Sequence, residues 1–141
     1  MAKNKLNEWS LTLLRIVLGV IFTYHGHMKL FVPGGFTGSV QFFASIGLPA
    51  PLYSALIVSF LEFFGGLLLL IGMLTRWVLA LLIIEMLVAF FKVHLRSGFF
   101  ISQTAYGYEY LLLILASLVV LLAGGAGRLS LGKMFKNKNL Q

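Results

Sequence analysis

Four apolar runs, over residues 10–31, 52–73, 76–95 and 106–125, decide what this chain is able to fold into. At about 1.5 Å of helix rise per residue, each crosses a hydrocarbon layer of about 30 Å. Backbone polar groups in hydrocarbon must be paired within their own segment, so open-ended spans are helical. Of the 141 residues 60% are hydrophobic and 11% charged, whereas soluble domains carry about 25% charge. The expected fold is all-α: one integral membrane four-helix bundle over 1–141.

The connections constrain the bundle further. Only Leu74 and Thr75 or so join the second and third spans, which makes them a tight antiparallel hairpin. About ten residues, RSGFFISQTA, join the third and fourth. The first connection is longer. Pro33-Gly34-Gly35 breaks the first span, and Pro49 and Pro51 lead into the second, where a proline opens a helix at no cost in hydrogen bonds. Between them Phe36, Val40, Phe43 and Ile46 recur at helical spacing. That pattern predicts a short amphipathic helix over 36–46, lying at the interface or re-entering the bundle.

MAKNKLNEWS ahead of an apolar run resembles the start of a signal peptide. The run is too long for one and no small-x-small cleavage site follows, so it reads as a retained first span. Lys3, Lys5, Arg76, Arg128, Lys133, Lys136 and Lys138 fall on one side of the expected bundle. Lys29, Lys92 and Arg96 fall on the other. The richer side is cytoplasmic by the positive-inside rule, which puts both termini inside, with a basic tail over 128–141. Trp9 and Trp77 then mark the inner interface, and Tyr24, Tyr53 and Tyr106 the outer one. A net charge of +7 concentrated in end segments points to lipid headgroups rather than nucleic acid. The absence of cysteine excludes disulfides, thiolate nucleophiles and thiolate metal sites.

Ionisable residues inside the spans are the functional pointers, because each costs several kcal/mol (about 3 or more at the span centre) unless paired or wet. The chain has four acidic residues, and Glu62, Glu85 and Glu109 all lie in apolar runs, as does Arg15. Depth counting puts Glu62 and Glu85 near the midplane, which opens an Arg15–Glu62 or Arg15–Glu85 pair. One arginine balances one carboxylate, so the second glutamate is expected to carry a proton. His25, Lys29, His94 and Glu109 form an outer layer.

Facing refines this. At about 100° per residue Arg15, Gly19, Gly26 and Lys29 share one line of the first span. His25 lies near that line and His27 well off it. On the second span Glu62, Gly65, Gly66 and Leu69 share a face, whose glycines admit a neighbouring backbone. On the fourth, Glu109, Ala116, Val120 and Ala123 share a small-residue face. On the third, His94 lies opposite Glu85 on an ideal helix; both reach one pocket only if the helix bends or ends before His94. Blander readings stand beside these: an Arg15–Glu62 pair as a register pin, Lys29, Lys92 and Arg96 as snorkelling anchors, and the Tyr106–Tyr110 run as an aromatic belt.

The motifs LLRIVLGVIFTYHGHMKLF, GFTGSVQFFASIGLPAP, LEFFGGLLLLIGMLTRW and AYGYEYLLLILASLVVLLAGGAGRLSL together resemble the DoxX family, over Leu13 to Leu131. The family consists of small bacterial proteins of four membrane helices, including relatives of the DoxD subunit of thiosulfate:quinone oxidoreductase. The resemblance implies a bacterial inner-membrane protein linked to redox metabolism or oxidative-stress defence. It places Arg15, His25, Gly26, Lys29, Glu62, Gly65, Arg76, His94, Tyr108 and Glu109 at characteristic positions.

The leading expectation is a quinone-linked oxidoreductase or subunit. His25, Glu62 and Glu109 would handle protons, and Arg15, His25, Lys29, His94 and Tyr108 would bind the cofactor; no metal is assigned. Quinone reduction consumes two protons, which gives a His/Glu chain its reason. The alternatives are a non-catalytic scaffold docking redox-enzyme subunits or further copies of the chain, and a haem or metal protein using His25 and His94. No ligand-spacing motif accompanies the histidines. A small-solute transporter is less favoured, as no inverted repeat is visible.

Overall fold

A computed structural model describes the backbone of residues 2–101 and 107–134, and side chains within 7–101 and 107–132. The side chains of Lys3, Lys5 and Lys133, the expected fourth-span start at Tyr106, and Lys136 and Lys138 lie outside the described residues. The described chain is helical: α1 (Ala2–Leu30), α2 (Gly35–Ser45), α3 (Pro51–Ile71), α4 (Thr75–Ala89), α5 (Glu109–Gly124) and the short α6 (Leu131–Met134). A π-helical turn, Phe90–His94, prolongs α4. The stretches 7–30, 51–71 and 75–94 are long and apolar enough to cross a membrane. The shorter apolar α5 completes the bundle by packing on α4 and α1.

Local chemistry sets the boundaries. The turn at Val32–Gly35 closes α1, with Gly34 in the left-handed region at φ 82° and Gly35 N–H donating to Val32 O. Pro51 opens α3 as expected. The α3–α4 hairpin turns over Gly72 to Leu74, with Gly72 at φ 71° and Leu74 at φ 52°. A glycine meets that backbone requirement without strain, and the leucine does not. Predicted and observed bounds differ most at the start of α1, which begins at residue 2 rather than 10.

Helices α1 and α3 run antiparallel in close contact. Gly19 meets Leu70, Gly66 meets Thr23, and Gly26 meets Phe63. A Cβ on Gly26 would lie 2.6 Å from Phe63 Cα, so only a glycine admits α3 here. The glycine face predicted on α3 is the buried one: Glu62, Gly65, Gly66 and Leu69 are all buried. The expected small-residue face of α5 is a correction. Ala116, Val120 and Ala123 are exposed, and α5 buries Leu111, Ile114, Leu118 and Leu121 instead. Branched side chains fill the volume between helices, and the small ones are left outward.

The bundle has two unlike halves. Toward the terminal end, Leu18, Leu69, Leu79, Leu118 and Leu121 form a solid core. Toward the other end the helices line a half-open cavity. Helix α2 packs against α1 and α3, buries Phe43, and roofs that cavity with Phe42, Phe43 and Ile46.

Candidate functional site

The antiparallel register decides which charges meet. Lys29, near the C-terminus of α1, lies beside Glu62 of α3, with Nζ 2.6 Å from Oε2. The Glu62 side chain is 6% exposed and that of Lys29 24%. Glu85 of α4 lines the same cavity as Lys29 and Glu62. Its Oε2 is shielded from solvent and has no hydrogen-bond partner.

These groups face a cavity of about 620 Å³, within the range of small-molecule sites, about 300–1,000 Å³. Its wall is largely apolar: Phe22, Phe43, Leu61, Met86, Leu111 and Ile114 among others. His25, Lys29, Glu62, Glu85, Lys92, His94 and Tyr110 supply the polar and titratable groups. Every long helix and α2 contribute. Apolar walls with a few convergent polar groups are the usual form of an organic-ligand site.

Arg15 does not join this cluster, and the expected Arg15–Glu62 and Arg15–Glu85 pairs do not form. The register places Arg15 beside Gly72, about 18 Å along the bundle from Glu62 at helix rise. Arg15 is 1% exposed and donates only to backbone carbonyls. Nε donates to Ala126 O at 2.9 Å, Nη1 to Leu70 O at 2.8 Å and to Leu69 O, and Nη2 to Leu129 O. The last carbonyls of a helix lack intrahelical donors and carry its negative pole, which suits a guanidinium. Arg15 thus caps α3 and ties it to the segment before α6. Ser130 Oγ donates to Gly72 O at 2.8 Å, closing the same knot.

Glu109 and Tyr108 also lie away from the cavity wall. Glu109 Oε1 accepts the Ile101 N–H at 2.8 Å, and its own N–H donates to Phe99 O at 3.0 Å. The Tyr108 ring packs edge-on against Phe90 and Phe99, with centroids 5.7 and 5.4 Å away. Both pin the 95–101 connection to the start of α5. The outer layer therefore splits: His25, Lys29 and His94 face the cavity, and Glu109 does not.

The conflict between Glu85 and His94 is settled by the π turn. The Leu95 N–H donates to Phe90 O at 2.8 Å, a five-residue step that winds less per residue than an α-helix. It brings Lys92 and His94 onto the wall that Glu85 lines. Nothing in FFKVH is a helix breaker, so no signal in the sequence marks the change. His25 lines the cavity and His27 lines a separate shallow groove between α1 and α3, as the stripe on α1 predicts. Glu85, left out of the expected proton-handling set, lines the cavity with Glu62. Matching glycines on α1 to those on α3 is the signal that would have found the Lys29–Glu62 pair. Among the described residues no three histidine, aspartate or glutamate side chains converge as metal ligands.

Fold and site define a helical membrane protein with a ligand-sized cavity that carries the Lys29–Glu62 pair and Glu85 on its wall. The DoxX family model matches residues 10–95, and the chain belongs to the DoxX family. It is 36% identical over 111 residues to a Bacillus subtilis protein named "Putative oxidoreductase CatD", covering 79% of this chain and 77% of that one. It is 31% identical over 137 residues to an uncharacterized protein of Haemophilus influenzae, covering 96% and 97%. A shorter match, 36% over 66 residues, links it to the Escherichia coli protein named "Inner membrane protein YphA", with 47% and 45% covered. No solved structure matches the chain.

Proposed function

We propose that this protein serves redox metabolism in a bacterial inner membrane by binding a quinone between its helices, as an oxidoreductase or as the quinone-holding subunit of one. The cavity carries this reading. An apolar chamber of about 620 Å³ with ammonium, imidazole and carboxyl groups at its wall suits a flat apolar ring bearing carbonyl oxygens. Lys29, His25 and His94 supply hydrogen-bond donors, and Glu62 and Glu85 are groups able to carry protons. Family membership and the oxidoreductase name of the Bacillus relative support the redox assignment. The Lys/Arg asymmetry of the sequence orients the chain with both termini cytoplasmic, and the cavity then lies in the outer half.

The test is purification in mild detergent, mass spectrometry of co-purified lipids, and titration with a short-tailed benzoquinone analogue. Co-purified quinone and saturable binding that weakens in a Lys29→Met variant are expected. Saturable binding that Lys29→Met, Glu62→Gln and His25→Ala all leave unchanged would remove the site. An absence of both quinone and binding would favour a scaffold role.

A further inference from the structure

We propose that the cavity opens sideways into the bilayer through a gap between α3 and α4, and that its ligand is a lipid-borne amphiphile. A small polar head sits at the Lys29–Glu62 pair, and a long apolar tail leaves through the gap. This rests on the quinone reading of the cavity and narrows it to a long-tailed molecule delivered by the membrane, rather than a water-borne ring.

The direction of the opening follows from which walls are buried. Phe22 of α1 and Leu111 and Ile114 of α5 line the cavity and are buried, so the back of the chamber is closed. The three most exposed apolar residues on the wall are Ile57 at 65%, Ile84 at 58% and Leu81 at 50%. All three belong to α3 or α4.

Helix contacts explain the gap. Glycines at 19, 26 and 66 let α3 press against α1. Near the turn that joins them α3 and α4 also touch, and a Cβ on Gly65 would lie 3.2 Å from Val78 Cγ1. Farther from the turn both helices line the cavity, with Val58 and Ile57 from α3 and Ile84 and Val88 from α4. Two helices joined at one end, one of them held to α1, leave a wedge at the other.

That wedge lies at hydrocarbon depth. Ile57 is six residues inside the 51–71 span and Ile84 nine inside the 75–94 span, about 9 and 14 Å from the span ends at helix rise. The approach past α2 presents Phe42, Phe43, Ile46 and Leu48 to the chamber, which opposes entry of water. The polar groups are set back, with Glu62 buried and Lys29 half-buried, while the gap is lined by Ile, Leu and Val. A ligand complementary to both has one polar end and an apolar remainder.

Two measurements test this, one with ligand and one without. The first compares the short-tailed benzoquinone analogue with one carrying a ten-carbon chain. Ile84→Trp narrows the gap and should weaken the long-tailed analogue about tenfold and the short-tailed one less than about threefold, a clash raised against the tail alone. Val119→Trp, on an exposed face of α5 away from the cavity, should change neither. Equal effects of Ile84→Trp on the two analogues, or none, overturn the tail path.

The second uses a nitroxide on Val58→Cys, the sole cysteine in a chain that has none, in lipid nanodiscs. Oxygen dissolved in the lipid should relax the label, and a water-soluble nickel chelate should not. Relaxation by the chelate, or by neither, overturns the lateral opening. So does dipolar broadening between labels on Ile84→Cys, the mark of a second copy seated over the gap. If the wild type binds neither analogue, the quinone assignment falls, and the nitroxide still decides whether the chamber opens to lipid.

Discussion

Lys29 meets Glu62 because Gly26 meets Phe63. The same face of α1 that lets α3 approach to backbone contact delivers the ammonium to the carboxylate one turn further on. Packing register and charge pairing are one decision here, and variants of each should report on the other.

Breaking the pair on one side leaves a partly or fully buried charge alone. Lys29→Met and Glu62→Gln should each cost about 1–3 kcal/mol, between the values for exposed and buried pairs. The double variant should lose less than the two added together. Unfolding in mixed micelles measures all three, and strict additivity would show that the pair is not coupled.

Arg15 has a different task, so its variants should give a different signature. Arg15→Ala strands carbonyls of Leu69, Leu70, Ala126 and Leu129 and should cost about 3 kcal/mol or more. Arg15→Lys should recover only part of this, because an ammonium lacks the fork that reaches two segments. Whatever folds should bind ligand with wild-type affinity, as titration would reveal.

Glycines should divide by what surrounds them. Gly26→Ala drives a methyl into the Phe63 backbone and should cost about 1–3 kcal/mol, as other overpacking does. Gly38, inside α2 with open space around it, should accept alanine and gain up to about 1 kcal/mol from helix propensity. Melting temperatures of the two variants should move in opposite directions.

Filling the cavity should remove binding without touching stability. Ala89 lies on the wall beside Glu85, and Ala89→Phe places a ring in the chamber. Affinity for the quinone analogue should drop about tenfold or more, one ring's worth of volume being unavailable to the ligand, while the melting temperature holds. Unimpaired binding would place the ligand elsewhere.

A chain without cysteine also allows its orientation to be read directly. Thr37 on α2 and Leu129 near α6 are exposed at opposite ends of the bundle. A membrane-impermeant maleimide added to whole spheroplasts should label Thr37→Cys and not Leu129→Cys. The reverse pattern would invert the proposed topology.

The spans, the hairpin and the α2 helix were legible because each follows from apolar length, from proline and glycine positions, or from helical spacing. The inward stripe of α1 was legible too: Arg15, Gly19 and Gly26 are buried and Lys29 is half-buried. The pairing of charges was not, because depth counted from span ends ignores how far one helix slides along another. Depth counting brought the long Arg15 side chain within reach of Glu62, whereas the glycine contacts set Lys29 there. Glu109 was expected in one outer layer with His25 and Lys29, and it does not line their cavity. Its position at a span start looks like a pocket rim, but a helix N-terminus beside a returning loop gives a carboxylate local N–H partners, and Ile101 supplies one. The π turn was invisible because its residues carry no local signal.

The carbonyls that hold Arg15 also set a timetable for making the protein. The guanidinium emerges with the first helix, but Ala126 and Leu129 follow 111 and 114 residues later. Until they arrive a charge stands in the membrane without its full set of acceptors, a costly state. A chain that ended after α4 would leave Arg15 with the Leu69 and Leu70 carbonyls alone, half of the acceptors that hold it in the finished bundle.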